Sequence, residues 1–298
     1  MSSAFQPMIR LLDQRRQLAF SMMVVGLLVS NVGAQPKPTP PKTPPSQSAP
    51  APALVEVARI RSAEGTVEVQ RAGGPWTRAV EDQALSIGDR VRTQRGATAH
   101  LEFPWTAVAM GDASEISLQK SRVLTLQLDT GRLDIDPEQA LLRVVTAEAA
   151  VSGSGRTLIR RQGTTTFVGS YNGGADVEAG GAIVRLGVNK GTLINGVSPP
   201  SEAVALPAPP RIVSPSADPR YARSGEVVHL IWTGRETSYH LEVLPIDSDV
   251  PVVSLDLEAR EYDLRLNWLG TFRWRVSGRT GSVETQPSGE GLICVVEK

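Results

Sequence analysis

The sequence predicts an all-β protein: a roll or sandwich of many short strands, followed by a small immunoglobulin-like sandwich. Three observations predict it. Apolar and polar residues alternate at period two in segment after segment, as half-buried strands require. The 27 Gly and 22 Pro among 298 residues break the chain at short intervals, which favours turns over long helices. Beyond the N-terminus no stretch keeps a helical period for more than about two turns.

The elements follow in chain order. Residues 1–34 read as a secretory signal. Arg10, Arg15 and Arg16 supply a basic start, and Leu18 to Val29 is apolar. As a helix that run covers about 18 Å at about 1.5 Å per residue, against about 30 Å of hydrocarbon core. Val32-Gly33-Ala34 offers small residues to a signal peptidase, which puts the mature start near Gln35. No Cys follows the run, which argues against a lipid anchor. An uncleaved anchor helix is the competing reading, and Arg15-Arg16 leaves Sec and twin-arginine export both open. Residues 35–53 form a Pro-rich linker, extended as polyproline II; a spacer role and an SH3-like docking role both fit that composition.

Residues 54–200 carry the first β domain. Val67 and Val69 alternate with polar neighbours, and Ala72-Gly73-Gly74-Pro75 then turns the chain before Trp76. Gly88-Asp89 separates Leu85-Ser86-Ile87 from Arg90-Val91-Arg92-Thr93, a tight turn that should leave Leu85 and Val91 buried on its two flanks. Ala97, Ala99, Leu101 and Phe103 alternate up to a turn at Pro104-Trp105. Val123 to Leu128 and Arg132 to Asp136 read as two strands around Asp129-Thr130-Gly131. Short strands separated by Gly pairs continue to Leu193-Ile194.

Taken together and in order, several of these elements resemble the FecR domain, a bacterial extracytoplasmic module. They are Gly65 with its strand, Trp76, the Leu85…Gly88-Asp89-Arg90-Val91-Arg92-Thr93 segment, Ala97…Leu101, and Val144-Val145-Thr146-Ala147 with Ala149 and Val151. The chain departs from the pattern at Gly153-Ser154-Gly155-Arg156-Thr157, where members carry Gly-Thr. The family is named for an inner-membrane regulator that relays an iron-uptake signal to a sigma factor. The resemblance therefore implies an extracytoplasmic module that contacts other proteins or envelope polymers. The relay itself requires a cytoplasmic domain, and the residues before Leu18 are too few to form one.

Residues 201–210 are a second Pro-rich linker, and 211–298 carry a second pattern. Val228, Leu230 and Trp232 alternate on one strand; Tyr239, Leu241 and Val243 on the next; Phe272, Trp274 and Val276 on a later one; Ile293 and Val295 close the set. Seven short strands suit a small sandwich with Trp232 and Trp274 between its sheets. Trp232 and the Gly270 to Val276 strand resemble a fibronectin type III domain.

Chemistry is sparse. Lys plus Arg and Asp plus Glu balance at 31 each, which removes any electrostatic case for a nucleic-acid partner. Cys294 stands alone and cannot close an internal disulfide. HExxH, CxxC, GxSxG and P-loop motifs are missing, so neither enzyme activity, nor a cofactor, nor a metal is expected. Three residues are candidates for binding. Trp105 at its turn suits either ligand stacking or cover for the end of a sheet. His229 and His240 fall on the outward faces of consecutive strands, where they read as surface histidines or as two ligands of a metal that lacks its third. Asp134 and Asp136 share one strand face.

The expectation is an exported, non-enzymatic binding or scaffolding protein of the cell envelope, periplasmic or secreted. Its partner would be an envelope protein or polysaccharide, with no stable membrane insertion after cleavage. The alternative is a membrane-anchored FecR-like transducer that regulates a sigma factor. Intact-mass measurement on fractionated native cells separates them. Cleavage after Ala34 predicts a soluble envelope species that begins at Gln35, whereas retention predicts the full-length mass in washed membranes.

Overall fold

A computed structural model describes residues 56–120, 123–137, 142–248 and 251–297. The signal and first-linker readings therefore lie outside the described residues. Every regular element among the described residues is a strand, so the protein is all-β.

The first part contains β1 (Glu56–Glu64), β2 (Val67–Gln70), β3 (Trp76–Arg78), β4 (Ala84–Ser86), β5 (Arg90–Thr93), β6 (Thr98–Phe103), β7 (Thr106–Met110) and β8 (Glu115–Gln119). There follow β9 (Thr125–Pro137), β10 (Arg143–Val145), β11 (Ala150–Gly153), β12 (Thr157–Gln162) and β13 (Thr165–Ser170). The last four are β14 (Ala175–Ala179), β15 (Ala182–Leu186), β16 (Lys190–Asn195) and β17 (Val204–Ala205). One layer runs β4-β1-β6-β7-β9-β12-β13-β16-β17 and the other β3-β2-β5-β8-β9-β10-β11-β14-β15. Strand β9 belongs to both. Between the layers sits one core: Ile60, Leu101, Val108 and Leu133 from the first face Val69, Val91, Ile116 and Leu126 from the second. The alternation in the sequence is what places these residues on inner faces.

The Gly88-Asp89 turn is as the sequence predicts, with Leu85 and Val91 fully buried on either side. Gly88 has φ +93°, a backbone conformation that Gly adopts without cost. The buried Asp89 carboxylate accepts the Ser86 N–H at 2.9 Å, and the Asp89 N–H donates back to the Ser86 carbonyl at 3.1 Å. This local closure explains why an acid is needed beside the glycine.

One expectation is corrected. Asp129-Thr130-Gly131 does not separate two strands; β9 runs through it. Leu126 and Leu128 point inward before it, and Leu133 and Ile135 after it. Leu128 to Leu133 is an odd step, which alternation forbids unless a residue is inserted. The insertion is Asp129: Glu115 pairs Thr130, then Ile116 pairs Leu128. This bulge lets β9 leave one layer and enter the other. Glycine and a broken alternation look like a turn in the sequence, and only the pairing on both sides identifies a bulge.

The second part contains β18 (Arg211–Ser214), β19 (Arg220–Arg223), β20 (Val227–Thr233), β21 (Ser238–Pro245), β22 (Val253–Leu257), β23 (Glu261–Arg265), β24 (Gly270–Thr280), β25 (Val283–Glu284) and β26 (Gly291–Val296). Sheet β18-β20-β23 faces sheet β19-β26-β24-β21-β22 across a second core. Trp232 and Trp274 lie in that core with ring centroids 6.2 Å apart, and Tyr239 meets Trp232 edge-on at 5.7 Å. The Trp274 indole N–H donates to the Pro215 carbonyl at 3.2 Å, which satisfies its one polar atom. Residues 201–206 lie along β16: Thr192 Oγ1 donates to the Ser201 carbonyl at 2.7 Å, and β17 pairs with β16.

The bulge makes a prediction. Gly131 has φ +98°, and a Cβ there would overlap the Ser114 side chain and Cα. Gly131→Ala therefore meets backbone strain and overlap together, and should cost upward of about 2–3 kcal/mol. Gly163→Ala is the control, since it shares a positive φ but faces open space. Denaturant unfolding of both variants should rank Gly131→Ala well below Gly163→Ala.

Candidate functional site: the seam between the sandwiches

The outer face of the β21–β24 sheet rests on the outer face of β9 and β12. Alternation sends Arg132 and Asp134 outward from β9, His240 and Glu242 outward from β21, and Arg275 and Ser277 outward from β24. The seam has two zones.

The apolar zone is Leu158, Phe167 and Tyr171, packed with Leu193, Leu206 and Val283. The Tyr171 hydroxyl donates to the Thr285 carbonyl at 3.2 Å. Burial first, and then the Glu284 and Asp134 charges, hold this phenol well above the usual tyrosine range.

The charged zone is built from buried pairs. Arg132 donates through Nε and Nη2 to Glu284 Oε1, at 3.2 and 3.0 Å, across 152 residues of sequence. The same oxygen accepts Ser277 Oγ at 2.9 Å. Arg156 binds Asp134 with two bonds, at 3.0 and 2.7 Å, and Arg275 Nε donates to Glu242 Oε2 at 2.7 Å. Burial by itself would raise the Asp134 carboxyl, but the Arg156 charge and hydrogen bond, helped by Arg132, hold it below its ordinary value. Such pairs contribute little net stability compared with apolar packing, yet removal of one partner costs about 3–5 kcal/mol because the other is left buried and charged.

His240 sits among these groups, nine-tenths buried. Its Nδ1 lies 2.8 Å from Asp256 Oδ1 and its Nε2 3.7 Å from Glu242 Oε1. Burial and the Arg132 charge push the imidazole down, but the hydrogen bond to Asp256 and the nearby Glu242 carboxylate outweigh them and lift it to about 9. Asp256 in turn bonds Arg279 at 2.9 Å.

The candidate residues from the sequence are dispersed. Trp105 stands at the β6–β7 hairpin tip, 59% exposed, so it covers little of any sheet end. His229 is exposed on β20, with Nδ1 2.5 Å from Asp263 Oδ1. His240 is not a surface histidine, because the first sandwich covers its strand face. Nor do the two histidines approach each other, since β20 and β21 belong to different sheets of one sandwich and their outward faces point apart. Among the described residues no group of three or more His, Cys, Asp or Glu is arranged to hold a metal.

Sequence reasoning missed Arg132, Arg156, Glu242, Arg275 and Glu284 as a set. Their one trace is that charges of both signs recur on the outward faces of β9, β21 and β24, a pattern that a solvated face shares. Two clefts open along the seam. One of about 200 Å³ is lined by His100, Ala107, Asp136, Arg156 and Arg275. The other, about 290 Å³, is lined by Thr130, Arg132, Arg160, Arg161 and Arg279.

No protein-family model matches the chain, and no curated protein matches it. Among solved structures, two crystal structures of a provisionally assigned anti-sigma factor from Parabacteroides distasonis, at 1.65 and 2.50 Å resolution, align with 39% of this chain at 14% and 16% identity, each with a TM-score of 0.34. The alignment spans 60% of those proteins' length. The FN1–FN3 domains of chicken CNTN1 align at 10% identity and a TM-score of 0.25, over 82% of this chain and 96% of theirs.

The His240 cluster sets a pH dependence. A folded-state value near 9 lies above the free value of 6.5, so this group's contribution is complete below pH 6.5 and is lost as pH rises through 9. Glu242 and Asp256 are shifted down, so their contribution is present above their free values and is lost in acid. The stability gap between the native chain and His240→Gln should shrink by up to about 3 kcal/mol between pH 6 and pH 9. Urea titrations at a series of pH values measure it, and a gap that widens with pH would contradict the assignment.

Proposed function

We propose that this chain is an exported, non-enzymatic binding or scaffolding protein of the bacterial cell envelope. The observation that carries the reading is the seam. Residues 52–298 cluster as one compact unit, and two cores meet through buried apolar contacts, the Arg132–Glu284 ion pair and the Tyr171–Thr285 hydrogen bond rather than through a free linker. A hinge would suit an enzyme that closes on its substrate or a relay that changes shape. A welded pair of sandwiches suits presentation of a fixed surface.

The displaced titratable groups fit the same reading. Asp134, Glu242 and Asp256 are each engaged by an arginine or by His240, an arrangement that fixes structure and leaves none of the three poised for proton transfer. The exposed Trp105 is a ready anchor for an envelope protein or polysaccharide. The signal-like N-terminus supports a periplasmic or secreted location.

The FecR resemblance supports a second reading, a membrane-anchored transducer that regulates a sigma factor. The two separate in one experiment on native cells: fractionation, followed by cross-linking and mass spectrometry of the tagged full chain. The scaffold reading expects a soluble envelope species cross-linked to an envelope protein or glycan, with that adduct weakened several-fold by Trp105→Ala. A full-length membrane species cross-linked to a sigma factor would replace it with the transducer.

A further inference from the structure

Arg160 breaks a rule of sheet pairing. The β12–β9 register places it directly opposite Arg132, and like charges across an antiparallel pair repel. Arg132 is neutralised by Glu284. Its neighbour Arg161 is neutralised by Glu148, at 2.8 Å to each oxygen, and Arg279 by Asp256. Arg160 has no carboxylate within ion-pair distance among the described residues. Its Nη2 donates to Gln162 Oε1 at 3.1 Å, while Nη1 is buried without a hydrogen-bond partner. A buried guanidinium nitrogen left unpaired is costly, and natural folds rarely keep one without use.

That guanidinium lines the cleft of about 290 Å³ at the seam, with Arg132, Arg161, Arg279 and the Arg279-paired Asp256 around it and Thr130, Gln162 and the Gly131 backbone also in the wall. Burial, and then the Arg279 and Arg132 charges, disfavour the Arg160 cation, and Glu284 and Asp256 offset them only in part. Asp112 lines the cleft as well, half-buried and outside ion-pair distance of Arg160. The cleft continues into a groove of about 480 Å³ that shares Asp112, Asp256 and Arg279 and is bordered by Leu255 and Leu257 of edge strand β22 and by Glu258 just after it.

We propose that this cleft binds a carboxylate carried by an extended acidic segment of a protein partner, with Arg160 as its cation. Of the cleft's four arginines Arg160 alone has no carboxylate in contact, a place that one carboxylate fits. A phosphate dianion or a densely charged glycan would meet Asp112, Asp256 and Glu258 as well. The groove beside an edge strand suits a peptide main chain, which could continue the β21–β22 sheet while its side-chain carboxylate reaches Arg160. The inference rests on the reading of the chain as a binding protein and names the chemistry of one of its partners.

The test is titration of the full chain with an acetyl-capped, Glu-containing hexapeptide, with succinate and with inorganic phosphate. It is followed by calorimetry and by the arginine Nε–H resonances in NMR. The expected result is peptide binding that moves the Arg160 resonance, weakens with salt, and falls about tenfold or more in Arg160→Gln while Arg78→Gln binds as the native chain does. Arg160→Lys should retain part of the affinity. Should Arg160→Gln fail to fold, the resonance shift in the native chain still decides the matter. The proposal is overturned if neither carboxylate probe moves Arg160 at about 10 mM, if a folded Arg160→Gln binds equally well, or if phosphate binds more tightly than both carboxylates. Failure here with an envelope partner still cross-linked would remove this site and leave the scaffold reading in place.

Discussion

Everything in the first sandwich, and most of what joins it to the second, depends on how one long strand changes sheets. β9 hydrogen-bonds with four neighbours, β8 and β10 in one layer and β7 and β12 in the other. The change of layer needs one inserted residue, Asp129, and one residue in a left-handed conformation, Gly131. The surroundings hold this bulge from two sides. The Asp129 carbonyl accepts from Arg161, and its carboxylate meets Arg90 at 3.0 Å. The insertion also sets which face each later residue takes. Without it, Arg132 and Asp134 would point into the core and Leu133 and Ile135 into the seam. A single extra residue therefore decides both the packing of one domain and the charges with which it meets the other.

The seam combines two kinds of interaction with different roles. The Phe167 and Tyr171 zone removes apolar surface from water, at roughly 25 cal/mol per Å², and has little preference for orientation. The ion pairs contribute less net free energy, because desolvation offsets most of their attraction. They do penalise any other placement, since a shifted seam would strand Arg132 or Glu284 in a buried site. Apolar contact holds the sandwiches together; charge fixes their register.

Much of the fold is written locally. The Gly88-Asp89 turn, the buried Leu85 and Val91, and the Trp232–Trp274 core follow from dipeptide chemistry and from period-two alternation, both readable within a few residues. The seam is not. His240 has the same outward phase in its strand whether that face meets water or another domain, and alternation reports phase alone. Arg132 and Glu284 are too far apart in sequence for any local rule to connect them. Asp129-Thr130-Gly131 misleads for a related reason, because a bulge and a turn draw on the same residues and differ only in what pairs beyond them. Trp105 was legible as a turn residue, but its exposure depends on which neighbours reach the hairpin tip.

The pairing of Arg132 with Glu284 also bears on how such a chain can be inherited. The Pro-rich stretch at 201–210 looks like a natural point of recombination, a place to exchange either sandwich for another module. Its first residues are instead laid along β16, and Leu206 packs beneath Phe167. A gene break there would give one product with Arg132 facing water beside bare Phe167 and Tyr171, and another with Glu284 stripped of its cation. The two halves thus form one unit of shuffling, and residues at the seam can drift only in compensated pairs.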